Sequence, residues 1–342
     1  MNRGGAQQWW LATVAAGTLA ISIGACGEDS SGGEGEALTV YSGREEEYVG
    51  PLFDQFTEET GIEVEIKYGE SAELAATLAE EGENSPADLF FSQDAGSLGA
   101  VEGEELFSAL PEPVLETVDE RYRSAEGEWV GTSGRARVVG YNTEALSDGE
   151  LPESILDFTA PEWKGRIGWA PTNGSFQAFV TAMRLTEGEE VTREWVEGIV
   201  ANEPEELSDN EAIRDAIAAG EVDVGFLNHY YIAEAQAEAG EGYPVASHYT
   251  SGDAGSLVNV AGVGVLASSD QADDAVALAE FMLSEQAQSA FAEDAKEYPL
   301  IDSVEVDPLI APLEEIEQPD VELAELDDLE GTLTLLQEAG AL

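Results

Sequence analysis

Strand-like and helix-like runs of residues alternate along most of the chain, and this alternation constrains the fold more than any other feature of the sequence. Ile62, Val64 and Ile66 alternate strictly with charged residues, which predicts a half-buried strand. Before them, apolar residues recur at helical spacing from 49 to 56, and Gly61 fits the C-cap of that helix. Pro51 is expected in the first turn of the helix, so that 43–50 form a loop or a bent entry. The alternation predicts an α/β fold made of layers, with largely parallel sheets.

The other predicted elements follow from the same two patterns. Further strands are predicted at 37–41, 87–91, 138–141, 166–169, 222–227 and 257–266. Further helices are predicted at 71–82, 175–185, 193–200, 211–219 and 272–284. In open α/β sheets ligands bind beyond the carboxyl ends of the strands, so a site is expected among the residues that follow them.

Length and charge limit the classes of protein that the chain can belong to. With 342 residues it exceeds one ordinary hydrophobic core, so two domains are expected. Its 72 Asp and Glu against 13 Lys and Arg give a formal net charge of −59, which argues against nucleic acid as a partner. So acidic a surface is typical of proteins adapted to high salt, where counterions screen the carboxylates. One Cys excludes an internal disulfide, and two His leave little room for a zinc site.

The N-terminus is predicted to be a targeting segment. Residues 1–25 comprise a short start that carries Arg3 and an apolar core too short for a comfortable transmembrane helix, which fits a signal peptide. The core ends in small residues before Cys26, which resembles the lipobox of bacterial lipoproteins and implies cleavage before Cys26 and lipidation of its thiol. An ordinary cleavage site with an incidental Cys is the alternative. Residues 26–36 are predicted to be a flexible tether, and the folded chain to be extracytoplasmic, held at the outer face of a membrane through the lipid anchor only.

Polar residues follow three of the predicted strands. Glu45 lies after the first, Gln93 and Asp94 follow the strand at 87–91, and 228–231 (Asn-His-Tyr-Tyr) follow the strand at 222–227. A fourth segment, 171–175, leads from a strand into a helix, where backbone N–H groups and the helix dipole can receive an anion. Each segment alone could be a capped polar loop. Together they indicate convergence on one cleft.

Tyr230 and Tyr231 are the most informative pair in the sequence. Neighbouring side chains of a regular strand point to opposite faces, so both rings can meet one ligand only if the backbone turns, as it would if the strand ended at His229. A trivalent hard cation stabilises phenolate, so two phenolates would suit Fe3+ and would suit soft metals poorly. Taken alone, such a pair is more often core or interface packing.

Six segments occur in an order that resembles the ferric-ion-binding proteins of bacterial iron(III) ABC transporters. They are VYSGR at 40–44, PADLFFSQD at 86–94, SGRARVV at 133–139, WKGRIG at 163–168, NHYY at 228–231 and EYPL at 297–300. The resemblance implies an α/β, two-lobed periplasmic-binding-protein fold of type II, with the ligand cleft between the lobes. It also implies that Fe3+ binds in the cleft with a synergistic anion, carbonate or phosphate.

The resemblance places the family's paired tyrosines on Tyr230 and Tyr231. Its anion-binding residues fall on Asn173, Gly174 and Ser175, with Asn210 and Asn228 as neighbouring polar contacts. Two positions depart from the family: Glu45 replaces a His ligand and remains a possible oxygen donor, and Gln93 replaces a Glu ligand and is a weaker, neutral one. A third tyrosine of one subgroup corresponds to Phe176. Arg44, Arg135 and Arg137 could neutralise the anion or pair with carboxylates of the cleft.

The resulting hypothesis is a substrate-binding lipoprotein, not an enzyme, that captures ferric iron as a monomer and delivers it to an ABC permease. One lobe is predicted to comprise 37–135 and 261–310, and the other 136–260 and 311–342. A binder of an oxyanion or small organic ligand without metal is the main alternative. An exported hydrolase using carboxylates such as Glu45 and Asp94 has no motif in its favour, and a passive surface interaction protein is the remaining alternative.

Overall fold

The computed structural model describes residues 37–240 and 242–342, so the predicted signal peptide and the whole predicted tether, including Cys26, lie outside the described residues. The strands are β1 Leu38–Ser42, β2 Val64–Tyr68, β3 Leu89–Ser92, β4 Trp129–Asn142, β5 Ile167–Trp169, β6 Glu205–Glu206, β7 Val224–Asn228, β8 Val245–His248, β9 Val258–Val265 and β10 Tyr298–Pro299. The helices are α1 Glu46–Thr60, α2 Ser71–Glu81, α3 Ala95–Gly103, α4 Glu112–Leu115, α5 Gly174–Thr186, α6 Glu189–Ala201, α7 Asn210–Ala219, α8 His229–Ala239, α9 Ala272–Met282, α10 Glu285–Glu293 and α11 Leu329–Glu338. Within these ranges no helix is both long and apolar enough to cross a bilayer.

The long strand β4 joins two groups of strands. It pairs with β9 and β10 up to Ala136, and with β7 and β8 beyond that point. On one side the order continues through β9 to β3, β1 and β2, and on the other through β7 to β5 and β6. The α/β class is therefore confirmed, and the part of β4 near Ala136 belongs to both groups.

The prediction of largely parallel sheets is wrong. Parallel pairing joins β1 to β2 and β3, and β5 to β6 and β7. Every ladder that involves β4 or β9 is antiparallel. The reason is that the chain runs along β4 in one direction and returns beside it along β9. Antiparallel neighbours of this kind need no crossover helix.

The entry to α1 also differs from the prediction. The prediction placed Pro51 in the first turn, but the helix begins at Glu46, so Pro51 lies beyond the first turn and removes one backbone hydrogen bond from the helix. The acidic residues Glu46 and Glu47 favour a helix start there, because they face the positive end of the helix dipole. Burial of Val49 and the apolar residues that follow it outweighs the lost bond. The predicted C-cap is confirmed, with Gly61 at φ 77°.

The C-terminal segment contacts helices next to both groups of strands. Its 3₁₀ turn at Leu323–Asp327 packs on α3, whose Gly99 lies directly under the backbone carbonyl of Ala324. The helix α11 packs on α5, and Asp328 at its N-terminus pairs with Arg184 at 2.7 Å. The chain after 322 thus ties an element that follows β3 to an element that follows β5.

Candidate functional site

The backbone turns between Asn228 and His229, where β7 ends and α8 begins. Asn228 is still extended, with φ −89° and ψ 146°, and His229 is the first helical residue. The turn sets the rings of Tyr230 and Tyr231 side by side, with centroids 4.2 Å apart and planes inclined by 30°. Both rings line one cavity of about 730 Å³. Two neighbouring phenols can therefore act on one guest.

Burial makes both phenols weak acids when no cation is present. It raises the pKa of Tyr230 well above the ordinary value for a phenol, and the neighbouring phenol adds to the shift. Burial likewise raises the pKa of Tyr231. The guanidinium of Arg135 opposes the shift at both rings. A strongly charged cation is the kind of guest that would convert this pair to phenolates.

His229 holds the turn through both nitrogens of its buried ring. Its Nδ1 accepts a hydrogen bond from the backbone N–H of Ala136 at 3.1 Å, and its Nε2–H donates to the carbonyl of Lys296 at 2.9 Å. Burial lowers the pKa of His229 to about 4, so the ring is neutral at neutral pH. With both nitrogens occupied by backbone groups, His229 positions the start of α8 and has no lone pair left for a metal.

The predicted anion turn lies at the N-terminus of α5. The Asn173 side chain caps the helix, accepting from the backbone N–H of Ser175 at 3.0 Å and from its hydroxyl at 2.6 Å. Asn210, at the start of α7, donates to both of these side chains at 3.2 Å. Two helix N-termini therefore meet beside the tyrosines, and their dipoles favour negative charge there.

Arg137 lies beneath the anion turn as a buried cation. Its Nη1 donates to the Ser175 hydroxyl at 3.2 Å and to Asn210 and Asn228 at 3.4 Å, and its Nη2 donates to the carbonyl of Phe226 at 2.5 Å. None of these partners carries a charge, and Arg137 is 3% exposed. Burial lowers its pKa to about 9. A buried guanidinium without a carboxylate favours a negatively charged guest.

A second buried group of charges adjoins the cavity lining at Arg135 and Gln93. Arg44 binds Glu297 through two hydrogen bonds of 2.9 Å, and Ser133 donates to the same carboxylate at 2.5 Å. Arg135 approaches it to 4.0 Å. Burial alone would raise the pKa of Glu297, but the guanidinium groups of Arg44 and Arg135 hold it below the ordinary value. The group carries two positive charges and one negative charge.

The structure brings most of the predicted site residues to the same cavity. The predicted residues that line it are Glu45, Gln93, Asp94, Arg135, Arg137, Asn173, Gly174, Ser175, Asn210, Asn228, Tyr230 and Tyr231. Arg44 lies behind this wall, and Cys26 is outside the described residues. No cluster of three or more His, Cys, Asp or Glu side chains suited to a metal occurs at 37–240 or 242–342. A metal in the cavity would therefore depend on the tyrosines.

Three positions depart from the family's pattern, and two of them, Glu45 and Phe176, have surroundings that the structure defines. Glu45 is an exposed N-terminal neighbour of α1 on the cavity wall. Phe176 is buried, with its ring 5.5 Å from Trp169 and 5.6 Å from Phe179. It packs in the core under Arg137, whose guanidinium lies 5.6 Å from the ring centroid. The Phe176 ring therefore packs against Arg137, which in turn bonds Ser175 of the anion turn.

Sequence reasoning assigned no role to Ser133, Glu297 or Ser71. Glu297 is separated from Arg44 by 253 positions, so no local pattern could have paired them. The sequence contained one clue to this pairing. Glu297 directly precedes the apolar segment 298–300, and a carboxylate buried with that segment needs a cation. Ser71 holds the loop after β3 through a 2.8 Å hydrogen bond from the backbone N–H of Gln93.

A cavity lined by side chains that follow several strands, with groups for a cation and for an anion next to each other, defines a solute-binding protein. A family model described as bacterial extracellular solute-binding protein matches residues 84–321. The Fe(3+)-binding periplasmic protein of Serratia marcescens is 33% identical over 310 residues, covering 90% of this chain and 91% of that protein.

Solved structures agree with the sequence relatives. Iron-bound HitA from Pseudomonas aeruginosa is 32% identical and superposes with a TM-score of 0.82, over 89% of this chain and 99% of that one. A Trichodesmium protein in complex with iron and citrate ligands is 26% identical and superposes with a TM-score of 0.79, over 89% and 99% of the two chains. The two-lobed periplasmic-binding-protein fold is confirmed. The chain belongs to the periplasmic ferric-ion-binding family of bacterial solute-binding proteins, a family of transport proteins rather than enzymes.

Proposed function

We propose that this protein captures ferric iron outside the cytoplasm, together with a synergistic anion, and delivers it to an ABC permease. The observation that carries the proposal is the stacked pair Tyr230 and Tyr231 at the turn from β7 to α8, open to the cavity. Two phenolates give a hard anionic site, which suits Fe3+. The iron-binding relatives support the same guest.

Glu45 is proposed as a third oxygen donor to the metal. It is exposed, lines the same cavity and makes no side-chain cap to α1, so its carboxylate is free to move. Two tyrosines and one carboxylate leave coordination positions for an anion or water. The anion, carbonate or phosphate, would bind at Asn173, Gly174 and Ser175, where the buried charge of Arg137 favours it.

Closure of two lobes would complete the coordination shell and exclude water. We propose lobes of 37–135 with 261–310 and of 136–260 with 311–342. The change of partners along β4 near Ala136 supports the first boundary. The C-terminal segment contacts both α3 and α5, which fall in different proposed lobes, so it connects the two lobes.

The N-terminal segment completes the proposal. Cleavage before Cys26 and lipidation of its thiol would hold a monomeric protein at the outer face of the membrane, near its permease. Labelling of the expressed protein with a radioactive fatty acid tests this, with Cys26→Ser as the control that should remain unlabelled and be released.

An absorption titration of the purified folded chain with Fe3+, in bicarbonate buffer, tests the main proposal. We expect a purple-red tyrosinate-to-iron band that saturates at one equivalent. Tyr230→Phe and Tyr231→Phe should each lose most of it, whereas Tyr68→Phe, an exposed tyrosine outside the cavity lining, should match the wild type. The absence of a band in the wild type would end the proposal.

The buried donors around Arg137 favour one second candidate, a binder of an oxyanion without metal. Ser175 and Asn210 accept hydrogen bonds from this cation, and Asn173 accepts one from Ser175, so the protein's own side chains hold this polar group together. Calorimetry with phosphate or sulfate in the presence of a strong iron chelator separates the two. Heat of binding at micromolar oxyanion under those conditions would favour the second candidate.

A further inference from the structure

The orientation of the Gln93 amide is fixed by its partner. Arg44 Nη1 donates a 2.8 Å hydrogen bond to Gln93, and a guanidinium has no acceptor, so the amide atom that faces it must be Oε1. The backbone of Gln93 is held by Ser71 at 2.8 Å. The amide Nε2, with its two N–H groups, therefore points away from Arg44, and it donates to no other residue of the described ranges. Gln93 lines the cavity, so these donors are available to a guest.

Breaking the hydrogen bond between Arg44 and this oxygen would be energetically costly. Its guanidinium is 3% exposed and is bound by two hydrogen bonds to Glu297, which is itself 3% exposed. Turning the Gln93 amide over would place an N–H group against a buried cation. The oxygen of Gln93 is thus committed to Arg44 and is a poor candidate for a metal ligand.

Arg135 supplies a second donor on the same wall. Arg44 Nη1 bonds both Gln93 Oε1 and Glu297 Oε1, and Arg135 Nε lies 4.0 Å from that Glu297 oxygen. Arg135 is 6% exposed and lines the cavity, and its buried Nε has no hydrogen-bond partner among the described residues. A buried donor without a partner and a net positive charge both favour a negatively charged acceptor.

We propose that Gln93 and Arg135 form a donor site for the oxygens of the iron-bound anion, and that Gln93 does not coordinate the metal. The inference rests on the proposed function and names contacts of the anion in addition to the turn at 173–175. The guest is a small oxyanion with an oxygen that accepts from the amide N–H and another that accepts from the guanidinium. Bicarbonate, phosphate and citrate are sources of such oxygens.

The test measures iron binding through the tyrosinate-to-iron band, at increasing concentrations of each of the three anions. In the wild type, iron affinity calculated from the free Fe3+ concentration, after correction for the iron that the anion holds in solution, should rise with anion. In Gln93→Ala the anion concentration at half-effect should increase about tenfold or more, with the band maximum unchanged at saturating anion. Gln93→Glu should show the same loss of anion response, because a carboxylate has no N–H group to donate. Without added anion, this variant should bind iron more strongly than the wild type.

Two further variants test the role of Arg135 and control for the added charge. Arg135→Gln should weaken the response to the same anion. Gln286→Glu adds the same negative charge on an exposed part of α10 and should match the wild type. The anion whose half-effect concentration changes most between wild type and Gln93→Ala is the one that the site accepts.

The opposite results have distinct meanings. If Gln93 were a metal ligand, Gln93→Ala would shift the band maximum and lower iron affinity equally at all anion concentrations, which would overturn the inference. An unchanged anion response in Gln93→Ala that unfolds at the wild-type temperature would also overturn it. A wild type without any band would instead refute the proposed function itself, whatever the variants do.

Discussion

At the scale of single residues, the candidate site depends on buried charges that neutralise one another only in part. The pair Arg44 and Glu297 is almost fully buried, with side-chain exposures of 2% and 4%. Removal of Arg44 leaves the Glu297 carboxylate in the interior with only Ser133 and the more distant Arg135 as partners. We predict that Arg44→Ala lowers the free energy of unfolding by about 3–5 kcal/mol, measured by urea denaturation.

Two comparisons control this prediction. Lys164→Ala breaks an exposed pair with Glu203, with side-chain exposures of 53% and 72%, and should cost at most about 1 kcal/mol. The double variant Arg44→Ala/Glu297→Ala should lose less than the sum of the two single variants. Strict additivity would show that the two residues do not stabilise each other.

A second residue-scale prediction concerns His229 and pH. Its pKa is about 4 in the folded chain, against 6.5 for an ordinary histidine. Between these two pH values the unfolded chain binds a proton at this position that the folded chain does not, so falling pH favours unfolding. From pH 7 to pH 4 the wild type should therefore lose roughly 3 kcal/mol more stability than His229→Gln does. Equal pH dependence of the two proteins would contradict the neutral, backbone-bound ring.

The residues of the site divide into those that sequence could predict and those that it could not. The tyrosine pair and the turn at 173–175 were predictable because each lies within one short segment at the exit of a strand. The direction of the Gln93 amide and the pairing of Arg44 with Glu297 were not, because they depend on contacts between distant parts of the chain.

At the scale of elements, patterns of apolar residues predicted the interior elements well. The predicted strand at 257–266 and helix at 211–219 are close to the observed β9 and α7. The first part of β4 was missed because Gly131, Ser133 and Arg135 break the apolar pattern, although the strand is buried throughout. The helix α8 was missed because few apolar residues recur at helical spacing along it; only His229, Ile232 and Ala233 are buried.

The contact between α3 and the C-terminal segment gives an element-scale prediction. A methyl group at Gly99 would overlap the carbonyl of Ala324, whereas one at Gly103 of the same helix would meet nothing within 4 Å. Gly99→Ala should therefore lower the free energy of unfolding by about 1–3 kcal/mol. Gly103→Ala should be neutral or stabilising by up to about 1 kcal/mol. Similar thermal unfolding of the two variants would show that this packing is loose.

At the scale of the whole molecule, the charge of −59 dominates the surface. Cleavage before Cys26 would remove only Arg3 among the charged residues, so the mature charge would be −60. Repulsion among carboxylates weakens when salt shortens the screening length to about 3 Å at 1 M. We predict that the unfolding temperature of the mature chain rises with KCl into the molar range, and that the rise shrinks near pH 4, where many carboxylates are protonated. A steady fall of that temperature with added salt would refute the prediction.

The central claim is that Tyr230 and Tyr231 bind one ferric ion together in the cavity between the lobes. An anomalous difference map at the iron absorption edge, from crystals of the iron-loaded mature chain, tests it most directly. The account predicts a single strong peak at bonding distance from both phenol oxygens. A peak that touches only one of them, or iron bound elsewhere among the surface carboxylates, would contradict it.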